Sequence, residues 1–130
     1  MTPERRKRIL VVEDDAPLAE LLKMNLALEG FEVATASKGA DALQYATANP
    51  IDLVILDVRL PDMNGYEVAK ELRKLHPPWV LPLMMLTGMD KPVDHLRGFA
   101  HGADAYLTKP CDPVELMQTI ALLLGEPIRT

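Results

Sequence analysis

The chain has 130 residues, 48% of them apolar and 25% charged, which describes one compact domain with enough apolar matter for a core and excludes wholesale disorder. Its longest apolar stretch, residues 79–86, is far short of a membrane span, no secretory signal is visible, and the single cysteine, Cys111, excludes a disulfide framework and fits a reducing cytoplasm. The net charge of −5 argues against general nucleic-acid binding, and beyond the basic leader Arg5-Arg6-Lys7-Arg8 residues 9–130 hold 10 basic and 18 acidic residues, a net of −8.

Ile9-Leu10-Val11-Val12 is a continuous run rich in β-branched residues, as expected of a strand covered on both faces. Pro17 opens a helical pattern through Leu18, Leu21, Leu22, Leu26 and Leu28, with Asp15 as its N-cap and Gly30 as its end. Residues 31–36 read as a second strand. Ser37 then caps a helix through Ala42, Leu43 and Ala46 that stops near Asn49-Pro50. Residues 51–56 form a third strand. Asn64-Gly65-Tyr66-Glu67 has the form of a capping box and opens a helix with Val68, Leu72 and Leu75 on one face, closed by Pro77-Pro78. Residues 81–86 are a fourth buried strand, with Pro82 fitting only near its start. A weaker helix over 93–101 and a short strand over 105–107 follow. Asp112-Pro113-Val114-Glu115 is another capping pattern, leading into Leu116, Ile120, Leu123 and Leu124 before Gly125 and Pro127. The divisions are a basic leader (1–7), one domain (8–124) and a tail or linker start (125–130).

Strand and helix alternate five times, which implies an α/β fold, a parallel sheet wound with helices on both faces. Ligands of such sheets bind beyond the carboxyl ends of the strands. The first strand ends in Glu13-Asp14-Asp15, the third in Asp57, the fourth in Thr87-Gly88 and the fifth in Thr108-Lys109-Pro110. Clustered carboxylates need a counter-charge, and a hard divalent cation such as Mg²⁺ (or Mn²⁺) supplies one. A carboxylate beside it can act as a nucleophile toward phosphorus, with a lysine and a threonine hydroxyl on the phosphoryl oxygens. This reads as an aspartyl-phosphate site. Neither G-x-G-x-x-G nor G-x-x-x-x-G-K is present, so the phosphoryl group is expected on a donor rather than on a nucleotide bound here.

Four segments carry a family resemblance: Ile9-Leu-Val-Val-Glu-Asp-Asp15, Asp57-Val-Arg-Leu-Pro-Asp-Met-Asn-Gly65, Met85-Leu-Thr-Gly88 and Gly102-Ala-Asp-Ala-Tyr-Leu-Thr-Lys-Pro110. In that order and spacing they resemble the receiver domain of two-component response regulators, over roughly residues 8–124. The resemblance implies a flavodoxin-like five-stranded sheet of order 2-1-3-4-5. It implies Asp57 as phosphoacceptor, taking its phosphoryl group from a phosphohistidine on a histidine kinase or histidine phosphotransfer protein. Asp14 would be a direct Mg²⁺ ligand, Glu13 would act through water, and the backbone carbonyl of Arg59 would complete the protein ligands. Lys109 would pair with the phosphoryl group, aimed by a cis peptide to Pro110. Thr87, followed by Gly88, would bond a phosphoryl oxygen. Tyr106 would swing inward and alter the surface of the fourth helix, fifth strand and fifth helix, with a phosphorylation-dependent homodimer among the outcomes. No direct nucleic-acid or membrane contact is expected of this domain, and it is expected to catalyse only its own phosphorylation and dephosphorylation.

Some positions depart from the family pattern. Glu13 replaces the commoner aspartate, Ala105 a frequent second aspartate, and Cys111 a frequent aromatic residue. The fifth helix has no Arg or Lys, unlike the branches that dimerise through that face. Arg59 and Met89 stand where side chains tune dephosphorylation. Plainer readings exist for several residues. Asp15, Asp62 and Asn64 read as caps or turn residues, Tyr106 as a packed aromatic, Cys111 as structural, and Met84, Met85 and Met117 as core. His76, His95 and His101 read as surface residues without metal spacing. Two other functions are weighed. An aspartate-nucleophile phosphatase would usually carry an acid two residues after the nucleophile, where Arg59 stands. A phosphorylation-independent docking module would not need the full set of Glu13, Asp14, Asp57, Thr87 and Lys109.

Overall fold

The computed structural model describes residues 6–125. The leader expected at 1–7 therefore falls largely outside the described residues, and so does the tail beyond Gly125. Five strands, β1 (Arg8–Val12), β2 (Glu32–Ala36), β3 (Leu53–Leu56), β4 (Leu83–Thr87) and β5 (Ala105–Thr108), pair in parallel in the order β2-β1-β3-β4-β5. Five helices alternate with them: α1 (Ala16–Leu28), α2 (Gly39–Ala48), α3 (Gly65–Leu75), α4 (Pro92–Ala100) and α5 (Pro113–Leu124).

Side chains alternate faces along each strand, and both faces are covered. Leu10, Val12, Val54, Leu56, Leu83 and Met85 pack with Ala42 and Ala46 of α2 and with Val68, Ala69 and Leu72 of α3. Ile9, Val11, Leu53, Ile55, Met84 and Leu86 pack on the other face with Leu22 and Leu26 of α1 and Leu116 and Ile120 of α5. Each Val, Leu, Ile or Met among them contributes about 1.5–3 kcal/mol on burial. The two-sided burial explains why these strands read as unbroken apolar runs.

Three expectations shift at element boundaries. Strand pairing begins at Glu32, Leu53 and Leu83 rather than at 31, 51 and 81. Pro82 precedes β4, where its missing N–H costs no ladder bond, and its carbonyl accepts from Val54 N–H. In α1 the expected Leu21 and Leu28 are exposed, because Ala19, Leu22 and Leu26 occupy the inward stripe. Asp15 caps α1 as expected, accepting from Leu18 N–H at 3.2 Å, and Gly30 reverses the chain at φ +94°.

Ser37 does not cap α2. Lys38 occupies the N-cap position without a side-chain bond. The carboxylate of Asp62, from the loop after β3, accepts from Gly39 N–H at 2.8 Å and from Ala40 N–H at 2.9 Å. Asp62 is thus a cap, as its residue type suggests, but of a helix 22–23 residues earlier in the chain. Only the Asn64 half of the predicted capping box on α3 forms, with Oδ1 accepting from Tyr66 N–H at 2.8 Å. Asp112 caps α5 through Val114 N–H at 2.8 Å, and Gly125 ends it at φ +68°.

Candidate functional site

Sheet register brings the expected polar residues to one edge. Val12 of β1 pairs with Leu56 of β3, so the residues that follow, Glu13 and Asp57, emerge side by side. Asp57 N–H donates to Val12 O and Glu13 N–H to Ala36 O. Thr87 of β4 pairs with Thr108 of β5, and Lys109 N–H donates to Thr87 O. Residues from four separate strand ends therefore share one pocket.

At its centre Lys109 Nζ donates to Asp57 Oδ2 at 2.8 Å and to Glu13 Oε1. Glu13 and Asp57 are buried, while Asp14 is exposed at the rim. Carboxylate oxygens of all three acids lie within 4.8 Å of one another. Burial alone would raise Asp57, but the Lys109 bond, then Thr87 and the lysine's charge, bring its carboxyl below the ordinary 3.8. Glu13 goes the other way. Burial dominates there and holds it above 4.5 despite the same lysine. Lys109 is raised above 10.5, because its two carboxylate partners outweigh its own burial.

Three acids share one ammonium, an excess of carboxyl groups over positive charge that a divalent cation would offset. Oxygen ligands across a Mg²⁺ ion stand about 4.2 Å apart, and each of the three acids presents an oxygen within 4.8 Å of the others. The residues present therefore fit a small hard cation.

The loop between β3 and α3 is held closely against Asp57. Arg59 N–H donates to Asp57 Oδ1 at 3.3 Å, Arg59 bridges antiparallel to Asn64, and Gly65 N–H donates to Val58 O at 2.7 Å. A Cβ at Gly65 would stand 2.3 Å from the Asp57 carbonyl oxygen, so only glycine permits this approach. Gly88 is different: a Cβ there meets nothing within 4 Å, so packing does not demand the glycine. The Lys109–Pro110 peptide is cis.

Thr87 is fully buried, and its Oγ1 accepts from Met89 N–H at 3.4 Å. Tyr106 is also buried, with its hydroxyl donating to Met89 O at 2.8 Å. Resemblance implies an inward movement of this ring, and in this structure the ring already packs inside. Gly98 of α4 makes room for it, since a Cβ there would lie 2.6 Å from Tyr106 Cδ2. Burial, followed by the proximity of Tyr66 and Asp94, raises the Tyr106 phenol well above its ordinary 10.0.

Sequence reading missed several contacts. His95 stacks on Tyr106 at 4.1 Å between ring centroids and His101 on Tyr66 at 5.0 Å, so neither is a plain surface residue. Arg73 donates to Gly102 O at 2.8 Å, Leu81 O at 2.6 Å and Asp104 Oδ2 at 2.7 Å, tying α3 to the starts of β4 and β5. No local pattern announces these partners, which lie up to 31 residues away. Cys111 is half-buried, and burial with the nearby Glu115 and Asp112 raises its thiol pKa, in keeping with a structural role.

Residues 9–121 match the family described as the response regulator receiver domain. The alkaline phosphatase synthesis transcriptional regulatory protein PhoP of Bacillus subtilis (strain 168) is 42% identical over 118 residues, covering 91% of this chain and 48% of that protein. The chain spans about half the length of the curated relatives it matches. A receiver domain protein from Methanospirillum hungatei JF-1 superposes with a TM-score of 0.88 at 33% identity, covering 93% of this chain and 95% of that one. The response regulator TrrA of Thermotoga maritima, solved in complex with Mg²⁺ and BeF, superposes at 0.82 with 39% identity, covering 91% and 99%. Among the described residues no helix is long and apolar enough to cross a membrane.

Proposed function

The chain belongs to the response regulator receiver domain family, and from that premise we propose that Asp57 is its phosphoacceptor, loaded from a phosphohistidine on a histidine kinase or phosphotransfer partner. One observation carries the reading: a buried carboxylate at a strand end, ionised below its ordinary range, with Lys109 at 2.8 Å and two further acids within 4.8 Å. An oxygen of the Asp57 carboxylate attacks phosphorus. The phosphorus–nitrogen bond to imidazole breaks, and its electron pair leaves with the ring nitrogen. A mixed anhydride results, and the histidine leaves as neutral imidazole because the phosphohistidine reacts with its other ring nitrogen protonated and keeps that proton.

Mg²⁺, with Mn²⁺ as a substitute, would be held by Asp14, Asp57 and the Arg59 carbonyl, with Glu13 behind water. When bound, it supplies positive charge that offsets repulsion between the carboxylates and the incoming phosphoryl oxygens. Lys109 already donates to Asp57 and can follow the transferred oxygens. Thr87 offers its hydroxyl to one of them. Tyr106 reads this change and passes it to the surface of α4, β5 and α5. The inward ring, bonded to Met89 two residues past Thr87, supports that route.

The domain acts on itself rather than on a diffusible substrate. Arg59, two residues after the nucleophile, offers no carboxyl group for a phosphatase cycle. With Mg²⁺ and acetyl phosphate, intact-mass measurement should show one phosphoryl adduct, stable to acid and labile to base. Asp57→Asn should abolish it, and an adduct that persists in that variant sinks the assignment. Steady turnover of a phosphate ester would favour the enzyme instead.

A further inference from the structure

We propose that Asp62 is a positioning residue for the acidic site, holding the loop that carries Arg59 in register with Asp57 by anchoring it to the first turn of α2. The inference rests on the functional reading above and deepens it.

The loop of residues 57–65 is closed at its base. Gly65 N–H bonds Val58 O at 2.7 Å, Arg59 pairs with Asn64, and Arg59 N–H reaches Asp57 Oδ1 at 3.3 Å. That last bond is long and gives little stiffness by itself. Beyond the base the loop projects from the sheet, and what it meets there is α2. Asp62 spans two orphan N–H groups, Gly39 and Ala40, with one carboxylate oxygen on each, at 2.8 and 2.9 Å. Met63 packs beside it: a Cβ at Gly39 would lie 2.4 Å from Met63 Cγ. Two successive loop side chains are thus seated on the same helix end.

These two donated N–H bonds, Ala40's first, hold the Asp62 carboxyl below its ordinary 3.8 although it is exposed. The charged form is therefore the one the contact selects. The helix it grips follows β2, which also receives Glu13 N–H at Ala36 O. Asp62 thereby links the Arg59 loop to the same structural unit that places Glu13. Without it, the loop would keep its closed base but would rest on α2 through Met63 packing alone, with no hydrogen bond to that helix end.

Groups that hold a ligand from behind commonly affect metal affinity about 10–100-fold. Mg²⁺ titration by calorimetry on the whole chain should show Asp62→Ala binding about tenfold more weakly than wild type. Asp62→Asn keeps one acceptor of two and should fall between them. A role in folding alone would lower the melting temperature and leave the Mg²⁺ affinity in place. An alanine variant with native circular dichroism and wild-type affinity overturns the inference. Should that variant fail to fold, wild type answers the question through hydrogen exchange. Coupling is reciprocal, so saturating Mg²⁺ should slow exchange at the Gly39 and Ala40 amides, and unchanged rates there overturn the inference too. A wild type that takes up no Mg²⁺ is a distinct outcome: it removes the functional reading and this inference with it.

Discussion

Replacing Lys109 with methionine keeps an unbranched side chain one atom shorter and removes its charge. In the folded protein that charge stands 2.8 Å from Asp57 and also bonds Glu13, beside a cluster of three acids whose oxygens lie within 4.8 Å of one another. Like charges no more than 4.8 Å apart repel by at least about 3 kcal/mol at an effective dielectric near 20. Removing an opposite charge at this range raises a carboxylate pKa by about 1–3 units, or about 1.4–4 kcal/mol. The Lys109 side chain is 23% exposed, and screening brings the expected loss to about 2–3 kcal/mol at pH 7. Asp57 titrates below 3.8 in the folded protein. Its charge therefore stabilises the fold above the unfolded value, and that contribution is lost as pH falls through the folded one. Lys109 titrates above 10.5, so its contribution is complete below that value and is lost as pH rises through the folded pKa. In the variant the carboxylates that have lost the lysine titrate above their ordinary range and shed their charge on acidification, so the deficit of Lys109→Met should hold from about pH 7 to 10 and shrink toward about pH 4. Urea unfolding in EDTA, followed by far-ultraviolet circular dichroism, measures it. A variant as stable as wild type at pH 7, or a deficit unchanged at pH 4, would refute the electrostatic account.

Two further substitutions test the packing around the site. Gly98→Ala in an ordinary helix gains about 1 kcal/mol; here the new Cβ meets Tyr106 Cδ2 at 2.6 Å and Met85 Sδ at 3.1 Å. We expect a net loss of about 1–2 kcal/mol and shifted Tyr106 aromatic resonances by NMR, whereas a gain in stability would mean the ring yields freely. Arg73→Lys keeps a positive charge but cannot reach Gly102 O, Leu81 O and Asp104 together. Urea unfolding should show a loss of about 2–3 kcal/mol, and wild-type stability in the lysine variant would contradict the clamp.

Much of this site was legible because its residues follow directly from local pattern. A strand buried on both faces must be an unbroken apolar run, and the first polar residue after it must lie at the sheet's edge. That logic picks out Glu13, Asp57 and Thr87, with Asp14 and Lys109 one residue further along their strand ends. Caps at Asp15, Asn64 and Asp112 were readable for the same reason, since a cap bonds its own next turn. Ser37 failed by this logic: the residue type suits a cap, yet Asp62 arrives from another loop and takes the helix end. Leu21 and Leu28 failed because helical spacing does not say which of two adjacent apolar stripes faces inward.

What the sequence determined by itself is therefore the order of the elements and the chemical identity of each strand end. These depend on contacts within a few residues and on the period of burial. Tertiary structure alone decided which ends meet, and so which acid Lys109 neutralises. It raised Glu13 and lowered Asp57, although both are buried carboxylates bonded to one lysine. It also chose Asp62 for α2, Arg73 for the strand starts and His95 for Tyr106. Those contacts join residues from 8 to 31 positions apart. Their energies come from distance and desolvation, which exist only once the sheet has assembled.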